Sequence, residues 1–349
     1  MSSAQLTERE RRVLTAVIQS YVETAEPAGS RMISRRYMLD VSPATIRNTM
    51  SDLEEKGYLF HPHTSAGRIP TDIAYRTYVD GLMQFTPVDV EARDALMEQL
   101  SGGGGGTAIE AILRRAAQVL GVLTQELGIA LGPGLDDARL ERLELIKVSS
   151  ERLLLVLRLN GGAARSIFVE VTGEIADKAI AEVSMVLNER LAGCTLREIR
   201  ATLSERLRDQ VTESKAGELI NIFVQEAEQI LDVNHALSDP QVVLGQTSVL
   251  AEQPEFSTGE KLRKLLALTD RPDALGALLV RQGAAPGISI TIGTEHVDPR
   301  FADFTIVTAE YHAGPLTGVI GVIGPTRMSY DKVVSLVTHT SRLISDLLA

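Results

Sequence analysis

The sequence predicts an α+β protein of several units, and three observations predict it. Residues 42–70 read in order as a helix, a short strand and a basic hairpin. β-rich runs separated by turn residues occupy two distant stretches, 143–171 and 288–323. Between them, residues 174–236 change to a helical, charge-rich pattern. A chain of 349 residues has length for two or three domains with a substantial core.

The first of these stretches organises the rest. Ser42 is a good helix N-cap, and Pro43 suits the first turn, where its missing N–H is no loss. The helix is expected to run to about Lys56, with Gly57 as its left-handed stop. Ile46, Met50 and Leu53 recur at i, i+4 and i+7 and make one buried stripe. The opposite side carries Ala44, Arg47, Asn48 and Ser51, with Ser42 and Thr45 at its start. These are small or hydrogen-bonding groups with one guanidinium. Arginine pairs bidentately with guanine and asparagine with adenine in the major groove, so this face fits base reading. Tyr58-Leu59-Phe60 is β-prone, and 61–70 is a Gly-containing hairpin whose His63, Thr64, Ser65 and Arg68 suit phosphate contacts.

The residues ahead of this helix support the same reading. Thr7-Glu-Arg-Glu10 matches a capping box and opens a helix with Leu14, Val17, Ile18, Tyr21 and Val22 on one face. Pro27-Ala-Gly-Ser-Arg31 breaks the chain and starts a short second helix containing Met32, Ile33, Arg35 and Arg36, with Arg31 near its start. Three closely linked helices followed by a hairpin fit a winged helix-turn-helix, which implies double-stranded DNA as a partner.

Composition limits the other classes. The apolar fraction is 44%, ordinary for a globular protein. No run approaches the ~18 apolar residues of a membrane span. The charged run Glu8–Arg12 precedes only a short apolar stretch, unlike a signal peptide. A lone Cys194 supplies neither a disulfide nor a zinc framework. A cytoplasmic location without membrane contact is expected. The net charge of −11 has the wrong sign for a nucleic-acid binder, but residues 1–80 hold ten basic and ten acidic residues. The whole excess lies in the remainder, which is expected to face away from a duplex. Aromatic residues make up only 4% and tryptophan is absent, which argues against single-strand binding by stacking.

Beyond the hairpin, residues 71–80 and 86–100 read as helices. Ser101 and the glycines 102–106 read as a linker, since no Lys-Ser/Thr follows to make a phosphate loop. A helical pattern spans 108–127 and includes Ile112, Val119 and Leu123. Strand signals follow at 143–148, 153–159 and 166–171, with Asn160-Gly161-Gly162 as a hairpin turn. Helices are expected at 179–191, 196–207 and 217–231. Strands return at 288–292, 304–309 and 316–323, and a last helix starts near Ser329 with Val333, Val337 and Ile344 on one side. A β-containing domain interrupted by a helical insert fits this order.

Signals of catalysis or cofactor binding are weak. Gly318-x-x-Gly321-x-x-Gly324 lacks the spacing of a dinucleotide loop and an acidic residue about 20 positions on, so close packing along a strand is favoured. His61-x-His63 has no third metal ligand near it. No G-x-S-x-G elbow occurs. An enzyme is not expected, nor any cofactor or metal. Arg327 and Tyr330 mark either a ligand or interdomain contact, or a turn fixed by hydrogen bonds to backbone carbonyls.

Residues 5–80 resemble the N-terminal domain of the HrcA family of bacterial chaperone-gene repressors. Two blocks carry the likeness, Val41-Ser-Pro-Ala-Thr-Ile-Arg-Asn-Thr-Met-Ser-Asp-Leu-Glu-Glu-Lys-Gly-Tyr-Leu59 and His63-Thr-Ser-Ala-Gly-Arg-Ile-Pro-Thr71. A third, Gly321-Val-Ile-Gly-Pro-Thr-Arg-Met-Ser-Tyr330, extends it over nearly the whole chain. The resemblance implies a GAF-like larger domain and an insert that takes part in dimerisation. The expected division is therefore a DNA-binding domain at 1–80, a connecting helix and linker at 81–106, a GAF-like domain at 107–173 and 237–349, and the insert at 174–236. It also implies a homodimer on the CIRCE inverted repeat ahead of chaperonin operons. A GroEL-type chaperonin would maintain its activity, which heat stress removes. Control by a small effector in the GAF-like domain is the alternative.

Overall fold

The computed structural model describes residues 6–63, 67–84, 87–101, 109–160, 164–171, 175–210, 214–225, 242–257, 263–264, 266–267, 272–282 and 287–349. The chain is mixed α and β, with helices and three separate sheets among these residues.

The first unit is built by local signals. Helix α1 (Glu8–Thr24) begins in the expected capping box: Thr7 Oγ1 accepts from the Glu10 N–H while the Glu10 carboxylate accepts from the Thr7 N–H. It buries Val13, Leu14, Val17 and Ile18. Helix α2 (Ser30–Tyr37) buries Ile33, and α3 (Pro43–Glu55) buries Ile46, Thr49, Met50 and Leu53. Both α1 and α2 pack on α3. Gly57 follows α3 with φ +81°, the left-handed turn that a side chain would disfavour. Strands β1 (Leu59–Phe60) and β2 (Ile69–Pro70) pair antiparallel as a small hairpin. Helix α4 (Asp72–Gly81) starts from a Thr71 cap and buries Ala74, Tyr75 and Tyr78.

After α5 (Val90–Ser101) and α6 (Ile109–Thr124) comes the central sheet. Its strands are β3 (Leu127–Leu131), β7 (Val242–Leu244), β8 (Ile288–Ile292), β9 (Phe304–Ala313) and β10 (Leu316–Pro325), ordered β7-β3-β10-β9-β8 and antiparallel throughout. Helices α6 and α12 (Tyr330–Leu348) cover one face. On the other face α10 (Ser248–Ala251), residues Pro254–Phe256 and α11 (Pro272–Gln282) help bury Leu127, Ile129, Phe304, Ile306, Val319 and Ile323. Burial on both faces explains the near-continuous apolar run of β10. The glycine series lies along this strand. A Cβ at Gly321 would stand 2.1 Å from the Val307 carbonyl oxygen, and one at Gly324 would stand 2.0 Å from the Glu126 carboxylate. These residues allow close packing and do not form a loop.

Strand β3 departs from the sequence reading, which carried a helix through Leu127. Gln125 takes a positive φ of 61° and ends α6, so Leu127–Leu131 enters the sheet. A short, fully buried apolar run has no periodicity to separate strand from helix. A second difference concerns β4 (Leu140–Lys147), β5 (Arg152–Leu159) and β6 (Ala164–Glu170). The sequence grouped them with the larger domain, but they form their own antiparallel sheet, β4-β5-β6. Its inner leucines pack with α7 (Asp177–Leu191), α8 (Leu196–Leu207) and α9 (Lys215–Gln225), whose helical character was expected. The boundary at 174 therefore falls between a sheet and the helices that cover it. The glycines 102–106, Gly161 and Gly162 of the expected hairpin, and residues 226–236 of the expected insert lie outside the described residues.

Candidate nucleic-acid interface

Helix α3 is held on one side and open on the other. Ser42 Oγ accepts from the Thr45 N–H at 3.1 Å and shares a 3.0 Å hydrogen bond with Thr45 Oγ1, so these two hydroxyls fasten the first turn. Thr49 is buried and donates to the Thr45 carbonyl. Ala44, Arg47, Asn48 and Ser51 are exposed together. Among the described residues, neither the Arg47 nor the Asn48 side chain is engaged in a hydrogen bond or ion pair. The C-terminal end of this face also carries exposed Asp52 and Glu55, which leaves its N-terminal half as the part compatible with phosphate.

Arg31 is exposed on α2, and so is Arg35, one turn on. Arg36 is occupied by Glu23 of α1. At the far end of α3, Lys56 reaches the buried Glu10 at 2.6 Å. The Lys56 hydrogen bond holds the Glu10 carboxyl below its ordinary range despite burial.

The hairpin places its residues differently from one another. His63 is exposed. Thr64 and Ser65 lie outside the described residues. Arg68 does not extend toward solvent as a phosphate ligand would: its side chain is 14% exposed and its guanidinium lies 2.7 Å from Glu54 of α3. Its main chain makes an antiparallel bridge with Ala28, through two N–H···O bonds of 2.9 Å. Gly67 makes that bridge possible, since a Cβ there would meet the Ala28 carbonyl oxygen at 2.3 Å. Sequence spacing gave no sign of Glu54, because its partners arrive from the hairpin seven and fourteen residues later.

Arg327 and Tyr330 lie at the joint between the first unit and the central sheet. The Arg327 guanidinium pairs with Glu255 through Nε and Nη2, and Nη1 donates to the Val22 carbonyl of α1 at 2.6 Å. The bond to Glu255 raises its pKa further. Tyr330 donates to the Thr326 carbonyl at 2.7 Å, and its ring lies 5.6 Å from that of Tyr75 in α4. Burial raises the Tyr330 pKa. The same joint holds Arg76 of α4 against Glu295 at 2.6 and 2.7 Å. Asp72 accepts from the Thr294 N–H and hydroxyl, each at 2.9 Å. Tyr330 thus bonds a backbone carbonyl four residues back, and Arg327 makes a contact between the first unit and the rest of the chain. Asp72 and Arg76 were missed, because the partners that dock them, Thr294 and Glu295, are more than 200 residues away.

Among the described residues the outer face of α3 is therefore open, while α1 and α4 of that unit are docked on the rest of the chain. Among the described residues no helix is long and apolar enough to cross a membrane. Residues 110–334 match the family described as "HrcA protein C terminal domain". The "Heat-inducible transcription repressor HrcA" of Chlorobium phaeobacteroides (strain BS1) is 39% identical over 350 residues, covering 97% of each chain. That of Chlorobium phaeovibrioides is 37% identical, covering 97% of this chain and 96% of its own. The Geobacter sulfurreducens protein of the same name is 36% identical over 345 residues, covering 98% of each. A crystal structure titled as a hypothetical protein shares the fold, with a TM-score of 0.63 at 21% identity and 99% of both chains covered. The chain belongs to the HrcA family of heat-inducible transcription repressors.

Proposed function

We propose that the chain represses transcription as a homodimer, reading an inverted-repeat operator in double-stranded DNA with the N-terminal half of α3. The observation that carries this is the exposed Ala44, Arg47, Asn48 and Ser51 face, whose two base-reading side chains are unengaged among the described residues. In this reading α1 to β2 form a winged helix-turn-helix and the central sheet belongs to a GAF-like domain. The β4–β6 sheet with α7–α9 forms the insert that serves dimerisation. A two-fold dimer presents the α3 face twice, so half-sites fall on a helical-turn spacing.

Family resemblance supplies the finer control: the CIRCE repeat as operator and a GroEL-type chaperonin that maintains the active fold. Loss of free chaperonin on heating would then lower the active population, which ~1–2 kcal/mol changes several-fold. Fluorescence anisotropy of a labelled CIRCE-type repeat against a scrambled duplex, with and without chaperonin, tests both parts. Tight binding to the repeat alone, strengthened by chaperonin, is expected; equal binding to both duplexes by folded dimer overturns the operator assignment.

Control by a small effector is the second reading. It is favoured by a cavity of about 490 Å³ at the joint, lined by Val22 and Tyr78 of the first unit and by Val88, Met328 and Leu336. A compound that shifts the melting midpoint and changes operator affinity together would support it.

A further inference from the structure

Glu54, next to the last residue of α3, has its carboxylate divided between the two arms of the hairpin. One oxygen lies 3.2 Å from His61 Nδ1, just after β1, and the other lies 2.7 Å from the Arg68 guanidinium, just before β2. All three side chains are at most one-third exposed, Arg68 the least at 14%. A single group therefore ties the base of the hairpin to the helix that precedes it. On the other side of Arg68, the main-chain bridge to Ala28 ties the same point to the α1–α2 connection. The end of α3 and the α1–α2 connection thus meet the hairpin at one residue, Arg68.

We propose that Glu54 is a positioning residue for DNA binding, which sets the hairpin at a fixed angle to α3 by clamping His61 and Arg68. An acidic group near a duplex normally weakens binding by repelling phosphate. Here it is neutralised by Arg68, and its contribution is geometric: α3 and the hairpin meet the duplex as one rigid body, so less order is imposed on binding. Arg68 accordingly acts through its place in the clamp and not as a phosphate ligand. The proposal rests on the DNA-binding reading above.

The test compares Glu54→Ala, Arg68→Ala and the double variant in the full-length protein, each checked for an unchanged melting transition at the assay temperature. Glu54→Ala is expected to weaken operator binding about tenfold, the double variant no more than either single one. Its salt dependence should become shallower by about one unit although no cation has been removed, because the displaced hairpin loses a backbone contact. A purely stabilising role would leave that slope unchanged. Unchanged or tighter binding by Glu54→Ala, an unchanged slope, or losses that multiply in the double variant overturn the proposal. Amide hydrogen exchange without DNA gives an independent reading. The Ala28 and Arg68 amides should exchange faster in Glu54→Ala while those of Val13 and Leu14 keep their protection; unaltered exchange at Ala28 and Arg68 refutes the clamp. If wild-type protein fails to distinguish operator from scrambled duplex, the DNA reading fails, and the exchange measurement still decides the clamp.

Discussion

Arg327→Ala removes a side chain that joins the segment ahead of α12 to α1 and to Glu255 of the 254–256 segment. Its guanidinium makes two hydrogen bonds to Glu255 and one to the Val22 carbonyl. The Arg327 and Glu255 side chains are 14% and 17% exposed. Breaking a fully buried pair costs about 3–5 kcal/mol, since the remaining charge is left without a partner. Partial access of Glu255 to water reduces this, while the orphaned Val22 carbonyl adds to it, giving about 2–4 kcal/mol. Tryptophan is absent, so tyrosine signals are clean, and Tyr21, Tyr75 and Tyr330 all lie at this joint. Urea titration followed by near-ultraviolet circular dichroism therefore follows unfolding through a signal to which the joint contributes three of the seven tyrosines. The expected result is an earlier transition for Arg327→Ala, with Glu255→Ala and the double variant showing a coupling of about 1.5–3 kcal/mol. A loss under about 0.5 kcal/mol, or strict additivity, refutes the account of the joint.

Arg47→Ala should weaken operator binding by roughly 1–3 kcal/mol and scrambled-duplex binding much less, as measured by anisotropy; equal losses would reduce Arg47 to a backbone contact. Gly67→Ala forces a Cβ onto the Pro27 and Ala28 main chain and should lower stability by about 1–3 kcal/mol, seen as an earlier melting midpoint; an unchanged midpoint would mean the hairpin moves freely away from Ala28. Glu126 is 3% exposed and burial raises its pKa well above the ordinary carboxyl range. Because the unfolded carboxyl ionises first, its contribution is fully present below the ordinary carboxyl pKa and is lost as pH rises toward the folded value. Glu126→Gln should therefore gain stability relative to wild type between acidic and neutral pH in denaturant titrations; a difference independent of pH would show that the carboxyl is not kept neutral. Gly293 sits at φ +51° with Asp72 where a Cβ would be, so Gly293→Ala should release α4 and speed exchange at the Thr294 amide, while unaltered exchange would place the docking elsewhere.

What the sequence determined by itself was local. The Thr7–Glu10 box, the Ser42-Pro43 start and the Gly57 stop each act within one helical turn, and the Ile46, Met50 and Leu53 stripe needs only the helical period. The exposed Arg47 and Asn48 follow from that stripe, because burying one side of a helix exposes the other. The strands at 288–292 and the helix beginning after Ser329 were also legible from periodicity and turn residues.

The tertiary structure decided what depends on distant partners. Leu127–Leu131 is a strand only because β10 and β7 flank it. The apolar outer positions Leu154 and Val156 hid the fact that β5 buries just one face, so the β4–β6 sheet read like part of the larger sheet when its cover is α7. Arg68 carried the sequence features of a phosphate ligand, yet its charge is taken by Glu54 and its main chain by Ala28. An arginine's type shows what it is able to bind, and only the fold decides which acidic group reaches it first. For the same reason Arg76 and Glu295, 219 residues apart, form an ion pair that no spacing in the sequence could signal.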